Sequence, residues 1–159
     1  MVIGSDKFQY RKMVPEDVIM VHALLRRTIM SSYKEAYSAG AVEFFMRHHD
    51  VASINRHVHE GHCIVAACDG VIAGVGELLG NEIRMVFVDP SLKRMGIGRG
   101  LMMRLEEQAR KCGMREIVLD SSVVAVGFYQ HLGYEVVKET SLDLGEDDLL
   151  PYLIMRRGL

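Results

Sequence analysis

The sequence predicts an α+β fold, on three observations. Between His62 and Val88, apolar runs rich in β-branched residues are broken by tight-turn signals, the pattern of an antiparallel meander. Ahead of it, Val18 to Ile29 carries helical rather than alternating periodicity. Behind it comes a strand–loop–helix–strand unit, in which Val88 leads through a basic glycine-rich loop into a helix and then a short strand.

Phe8 to Lys12 reads as a first strand. Val14-Pro15-Glu16-Asp17 is a helix start: proline's fixed φ suits the first turn, and acids there complement the partial positive charge of a helix end. Val18, Val21, Leu24, Leu25 and Ile29 then give the helix its apolar face. Tyr33 to Gly40 reads as a connection, and Ala41 to His59 as one or two short helices. The strands His62 to Cys68 and Val71 to Leu79 are joined by Asp69-Gly70, a strong hairpin signal. Gly80-Asn81 makes the next turn, and Glu82 to Val88 is the third strand of the meander. Pro90 ends it, having no N–H to give a ladder. Gly96 to Cys112 is a helix with Leu101, Leu105, Ala109 and Cys112 on one face, stopped by Gly113. Ile117 to Leu119 is a short strand, and Val124 to Leu132 a short helix closed by Gly133. Tyr134 to Glu139 and Leu149 to Met155 are the last strands. No repeat or linker-like tract interrupts the chain, so 1–159 is expected to form a single domain.

With 159 residues, 49% hydrophobic and 25% charged, the chain can bury a core without disulfides or metals. A net charge of -2 lacks the positive field that nucleic acid binding draws on, so no nucleic acid partner is expected. No apolar run is long enough to cross a bilayer, and no membrane association is expected. Met1 to Tyr10 is mixed and charged, without the apolar stretch of a secretory signal, which points to the cytoplasm. The cysteines, Cys63, Cys68 and Cys112, form no C-x-x-C pair, and buried inert thiols are expected. Cys63 and Cys68 are an odd number of residues apart on one strand and so face opposite ways. The histidines His48, His49, His57, His59 and His62 cluster in sequence, but a metal needs converging ligands and His57 and His59, two apart, share no helix face, so no metal is expected. Met102 and Met103 read as core filler.

The chemistry concentrates in Val88-Asp89-Pro90-Ser91-Leu92-Lys93-Arg94-Met95-Gly96-Ile97-Gly98-Arg99-Gly100. Glycines let backbone N–H groups approach an anion closely, and a helix N-terminus presents unpaired donors with a partial positive charge. Lys93, Arg94 and Arg99 add full charges, so the segment describes a pyrophosphate cradle. It is not the nucleotide loop G-x-x-x-x-G-K-[ST], and its Gly96, Gly98 and Gly100 give G-x-G-x-G rather than the dinucleotide pattern G-x-G-x-x-G.

This segment resembles the signature loop of the GCN5-related N-acetyltransferase (GNAT) family, [QR]-x-x-G-x-[GA] after a strand and V-x-P. Here Lys93-Arg94-Met95-Gly96-Ile97-Gly98 follows Val88-Asp89-Pro90, with lysine at the usual Gln or Arg position. A second family pattern, N-x-x-A-x-x-[FL]-Y-x-x-x-G-[FY], is matched in register by Ala125, Phe128, Tyr129, Gly133 and Tyr134, with Ser122 in place of Asn. The resemblance implies a three-layer α/β arrangement, a mixed and mostly antiparallel twisted sheet flanked by helices. It implies transfer of an acetyl group from acetyl-CoA to a primary amine of a small molecule or protein. A non-catalytic CoA-binding regulatory module on the same fold is the alternative.

Residue by residue, the resemblance implies that Val86, Phe87 and Val88 bond the pantetheine arm. Lys93, Arg94, Met95, Gly96, Ile97, Gly98 and Arg99 would hold the pyrophosphate, and Ser122 and Tyr129 would complete the cofactor contacts. It makes Tyr129 the general acid that protonates the departing thiolate. Glu82, or its rival Glu77, would be the base that deprotonates the amine; either reads equally well as a solvated strand-end charge. Acceptor specificity is expected from Ile29 to His59 and from a loop Ser141 to Asp148, whose Glu146-Asp147-Asp148 run either attracts a cationic amine or is a solvated turn. Many relatives form dimers through their last strands, so Leu149 to Met155 either pairs with a second copy or completes the sheet.

Overall fold

The computed structural model describes residues 7–159; the leader reading of Met1 to Tyr10 therefore falls largely outside the described residues. The strands are β1 (Gln9–Lys12), β2 (His62–Cys68), β3 (Val71–Leu79), β4 (Glu82–Val88), β5 (Glu116–Ser122), β6 (Glu135–Gly145) and β7 (Asp148–Gly158). The α-helices are α1 (Val18–Thr28), α2 (Ala39–His48), α3 (Val51–Glu60), α4 (Ile97–Lys111) and α5 (Val126–His131). The strands form one sheet in the order β1-β2-β3-β4-β5-β7-β6. Every adjacent pair is antiparallel except β4–β5. The expected mixed, mostly antiparallel sheet flanked by helices is thus the observed one.

Two cores lie on the two faces. One packs the apolar sides of α1 to α3 against Val65, Val75, Met85 and Phe87; the other packs α4 and α5 against Ile64, Ala66, Ile83, Ile117 and Leu119. On β3, Gly74 and Gly76 let α4 come close: a Cβ at Gly74 would lie 2.9 Å from Ile97 Cγ2, and one at Gly76 2.9 Å from Leu105 Cδ1. Both partners are buried, so a methyl has nowhere to go. Gly76→Ala is expected to cost about 1–3 kcal/mol, read as a lower urea midpoint at unchanged m-value; an unchanged midpoint would mean that α4 has slack.

The main departure from regular alternation lies in β4. Its register with β3 runs Glu77↔Met85 and then Leu78↔Ile83, leaving Arg84 as an extra, bulged residue. The bulge reverses which side chains face which core: Ile83 joins the α4 side, and Met85 and Phe87 the α1 side. Bulges bend and twist a strand locally. Here the bend coincides with the point where β4 parts from β5, since their pairing is confined to Glu82↔Val118 and Ile83↔Leu119.

Several elements differ from their sequence reading. The expected connection at Tyr33 begins as a π-helical turn, Ile29–Tyr33, continuing α1. Strands β5, β6 and β7 are longer than expected, because each finds a partner along its whole length. The expected loop Ser141 to Asp148 is mostly strand, and only Glu146 and Asp147, both at positive φ, make the turn. Strand β7 is internal, between β5 and β6, so Leu149 to Met155 completes the sheet and β6 is the edge at that end, with β1 at the other. Cys63 is buried, with its thiol pushed up to about 12 by burial, and Cys68 faces the other core as expected. Cys112 is exposed because it caps α4 rather than continuing its face. Met103 is exposed too, whereas Met102 is buried.

Candidate active site

The glycine-rich loop takes the shape its residues allow. Asp89 caps a short 3-10 turn, Pro90–Leu92, by accepting from Ser91 N at 2.9 Å. Arg94 and Gly96 adopt positive φ, 65° and 78°, and turn the chain into α4. Gly96 caps α4 with no side-chain bond, so the first-turn N–H groups of Ile97, Gly98 and Arg99 have no intrahelical partner.

These donors face a basic cleft of about 430 Å³. One wall is the free edge of β4, Val86 to Val88; another is the loop, with Lys93, Arg94, Gly96, Ile97, Gly98 and Arg99; the third is α5, with Phe128 and Tyr129. The π-helical turn contributes Ser32 and Tyr33. Gly98 closes against Phe128, whose Cζ would lie 3.0 Å from a Cβ there. Past Arg94 and Arg99 the cleft continues as a groove of about 1320 Å³ between α4 and α5, lined also by Arg104, Arg110 and His131.

A second, aromatic cavity of about 480 Å³ opens on the other side of the β4–β5 split. Phe44, Phe45, Leu150 and Tyr152 supply its apolar walls, and His48, His49, Glu82, Arg84 and Asp120 its polar groups. Between the two lies a chamber of about 100 Å³. It shares Val86, Phe87 and Tyr129 with the basic cleft, and His49, Arg84 and Asp120 with the aromatic cavity. The bulge and the parting of β4 from β5 thus give the molecule two cavities meeting at one small chamber.

Tyr129 stands at that junction. Its ring packs edge-on against Tyr134 at 5.8 Å and Phe128 at 5.1 Å. Burial, and then neighbouring Tyr33, raise its pKa, so the hydroxyl keeps its proton at neutral pH. Tyr134 donates to Glu106 at 3.0 Å, and Arg157 donates to the other oxygen of that carboxylate at 2.9 Å, anchoring the chain after α5.

The two candidate bases are placed very differently. Glu82 is exposed and lines the aromatic cavity. Glu77 is fully buried, which overturns its reading as a solvated strand-end charge. It pairs with Nδ1 of buried His57 on α3, and Arg84 Nη1 stands 3.9 Å from its other oxygen. Of the cofactor residues expected from the sequence, Met95 does not line the cleft and packs instead on the α4-side core. Ser122 lines the chamber rather than the cleft, and its hydroxyl accepts from Ala125 N at 3.2 Å.

Tyr33, Tyr37 and His49 lie in the stretch Ile29 to His59 expected to set acceptor specificity, without individual roles read from the sequence; Asp120 was missed. The Tyr37 hydroxyl accepts from Val123 N at 2.8 Å and donates to Pro151 O at 3.1 Å, tying the start of α2 to the loop before α5 and to β7. His49 is pushed down to about 3 by burial, then by His48 and His57, so its imidazole is neutral. Asp120 follows directly on the last β4–β5 register pair, and partial withdrawal from water raises its pKa. No local pattern marks these residues; adjacency to the β5 end of the split would have found Asp120.

Comparison with known proteins agrees with this architecture. A curated relative, the glucosamine 6-phosphate N-acetyltransferase of Trypanosoma brucei brucei, is 39% identical over 64 residues, 40% of this chain and 44% of that protein. The match thus spans less than half of the relative's length. The structure of a GCN5-related N-acetyltransferase from Rhodopseudomonas palustris superposes with a TM-score of 0.90 at 23% identity, covering 100% of this chain and 99% of that one. The PaiA N-acetyltransferase of Thermoplasma acidophilum, solved in complex with coenzyme A, has a TM-score of 0.74 at 20% identity, covering 96% and 99%. At such identities the structural likenesses carry the fold. The family model for the acetyltransferase (GNAT) domain matches residues 33–150, most of the chain, and the protein belongs to that family.

Proposed function

We propose that this protein transfers an acetyl group from acetyl-CoA to a primary amine. One observation carries the reading: β4 parts from β5 just beyond Ile83, opening a chamber between a basic cleft and an aromatic cavity, with Tyr129 in its wall. The cleft's residues fit the donor. Pantetheine is peptide-like and can pair with the free backbone edge of Val86, Phe87 and Val88. Ser32 Oγ is buried in the cleft without a hydrogen-bond partner, which suits an amide ligand. The uncapped N-terminus of α4, with Lys93, Arg94, Gly96, Ile97, Gly98 and Arg99, suits a pyrophosphate. The donor supplies an activated thioester.

The chain's own groups then divide the work. Backbone N–H groups of Val86 to Val88 stabilise charge on the thioester oxygen. Tyr129 holds a proton for the leaving sulfur. Ser122 and Met95 act by positioning, Ser122 through the turn into α5 and Met95 by seating the loop on the core. Glu82 draws a cationic acceptor to the mouth of the aromatic cavity. Glu77 holds His57 and Arg84 in that cavity's wall. The acceptor is a small-molecule or protein amine; the aminosugar phosphate in the curated relative's name is one compound to include in a screen. A cytoplasmic setting without membrane or nucleic acid partners belongs to this reading, supported by free thiols and a net charge of -2; among the described residues no helix is long and apolar enough to cross a membrane. A homodimer built by continuing the sheet would use β6 as its edge.

The test is a thermal melt with acetyl-CoA, followed by an amine screen for CoA release. At ~100 times its dissociation constant a ligand adds about 2.7 kcal/mol, a rise of roughly 5–10 °C for a domain of this size. A rise with acetyl-CoA but not with ATP or NAD, followed by amine-dependent CoA release, is expected. No rise at millimolar acetyl-CoA would sink the cleft assignment. Tight binding without turnover on any amine would favour the regulatory module.

A further inference from the structure

We propose that Asp120, rather than either glutamate, is the catalytic residue that takes the proton from the acceptor amine. The inference rests on the acetyl-transfer reading and deepens it. The reacting amine must meet the thioester in the chamber, because only there do the cleft and the aromatic cavity share walls. Among the chamber's lining residues Asp120 is the sole carboxylate. Glu82 and Glu77 do not line it; Glu82 opens β4 ahead of the split, and Glu77 is sealed against His57.

The other titratable groups of the chamber are unsuited. Tyr33 and Tyr129 are phenols whose pKa burial raises, so they hold protons rather than take them. Arg84 is a cation. His49 is buried, and burial with neighbouring His48 and His57 disfavours its charged form, so it resists taking up a proton. Asp120 brings a carboxylate whose pKa partial burial raises, and it opens onto the aromatic cavity, through which water can carry the proton away.

The ammonium nitrogen loses one proton to the Asp120 carboxylate, which passes it to water. The freed lone pair forms the C–N bond, the C–S bond breaks, and the sulfur takes the proton of Tyr129. The second nitrogen proton restores the Tyr129 phenol, leaving amide, free thiol and one released proton.

The experiment compares wild type and Asp120→Asn with two acceptors at one pH: a strongly basic alkylamine, and a weakly basic amine already unprotonated. Wild type is expected to turn over both. Asp120→Asn is expected to lose roughly 10²–10⁴-fold in kcat/KM for the alkylamine and much less for the weak base, with its acetyl-CoA melting shift unchanged. Asp120→Ser should show the same split, guarding against a folding defect in either variant. Activity within about threefold of wild type, or an equal loss on both amines, overturns the role of Asp120 while leaving acetyl transfer intact. A wild type that binds acetyl-CoA but turns over no amine defeats the acetyl-transfer reading, and this inference with it.

Discussion

Replacing Tyr129 by phenylalanine is expected to lower kcat by about 10²–10⁴-fold while leaving acetyl-CoA affinity within about twofold. The substitution removes only the hydroxyl. The ring still packs on Phe128 and Tyr134, and the backbone bonds that hold α5, Tyr129 N to Ala125 O at 3.2 Å and Tyr134 N to Tyr129 O at 3.1 Å, are untouched. A buried phenol whose pKa is raised stays protonated across neutral pH, as a proton donor to a departing thiolate must. Stopped-flow thiol release with the amine in excess reads the step directly. A kcat within threefold of wild type would remove Tyr129 as the acid, and a matching rise in the acetyl-CoA dissociation constant would recast it as a binding residue.

Glu77→Ala is expected to destabilise the fold by about 1–3 kcal/mol, the typical cost of leaving a buried hydrogen-bonding group without its partner. That corresponds to a fall of roughly 2–12 °C in melting temperature. The carboxylate is fully buried and joins three elements: its own β3, His57 on α3, and Arg84 at the β4 bulge. Removing it strands the His57 imidazole, itself buried, without its acceptor. Glu77→Gln keeps shape and an acceptor oxygen, and should fall between wild type and alanine. A loss below about 1 kcal/mol for Glu77→Ala in urea unfolding would show that the pair contributes little. Since His57 and Arg84 also line the aromatic cavity, the variant should bind acetyl-CoA nearly normally yet use its amine acceptor poorly.

Much of this was legible in the sequence because it is local. Asp69-Gly70 makes a hairpin since both residues accept positive φ, 51° and 77°. Helix α1 follows from apolar residues every three or four positions, and Val18, Val21, Leu24 and Leu25 are indeed buried. The anion-binding loop is legible because glycine and the N-terminus of a helix act through backbone geometry, whatever the rest of the chain does. Tyr129 could be marked because its register with Gly133 and Tyr134 lies within one short segment.

What failed to show was set by partners distant in sequence. Cys112 shares the spacing of a buried face but lies where α4 ends, and helix ends depend on what the next segment packs against. The extent of β6 and β7 depended on each strand finding the other, which no single strand's pattern encodes. Glu77 looks like any exposed carboxylate until α3 brings against it His57, which lies 20 positions earlier in the chain. The order of elements, the anion-binding loop and the tyrosine beside it follow from the chain's local pattern, because turns, helix caps and periodicity are properties of neighbouring residues. Where the chemistry is concentrated follows from long-range packing instead. The Arg84 bulge, the parting of β4 from β5, and the meeting of Tyr33, His49, Asp120 and Tyr129 around one chamber arise from packing between remote segments, which leaves no periodic trace in any one of them.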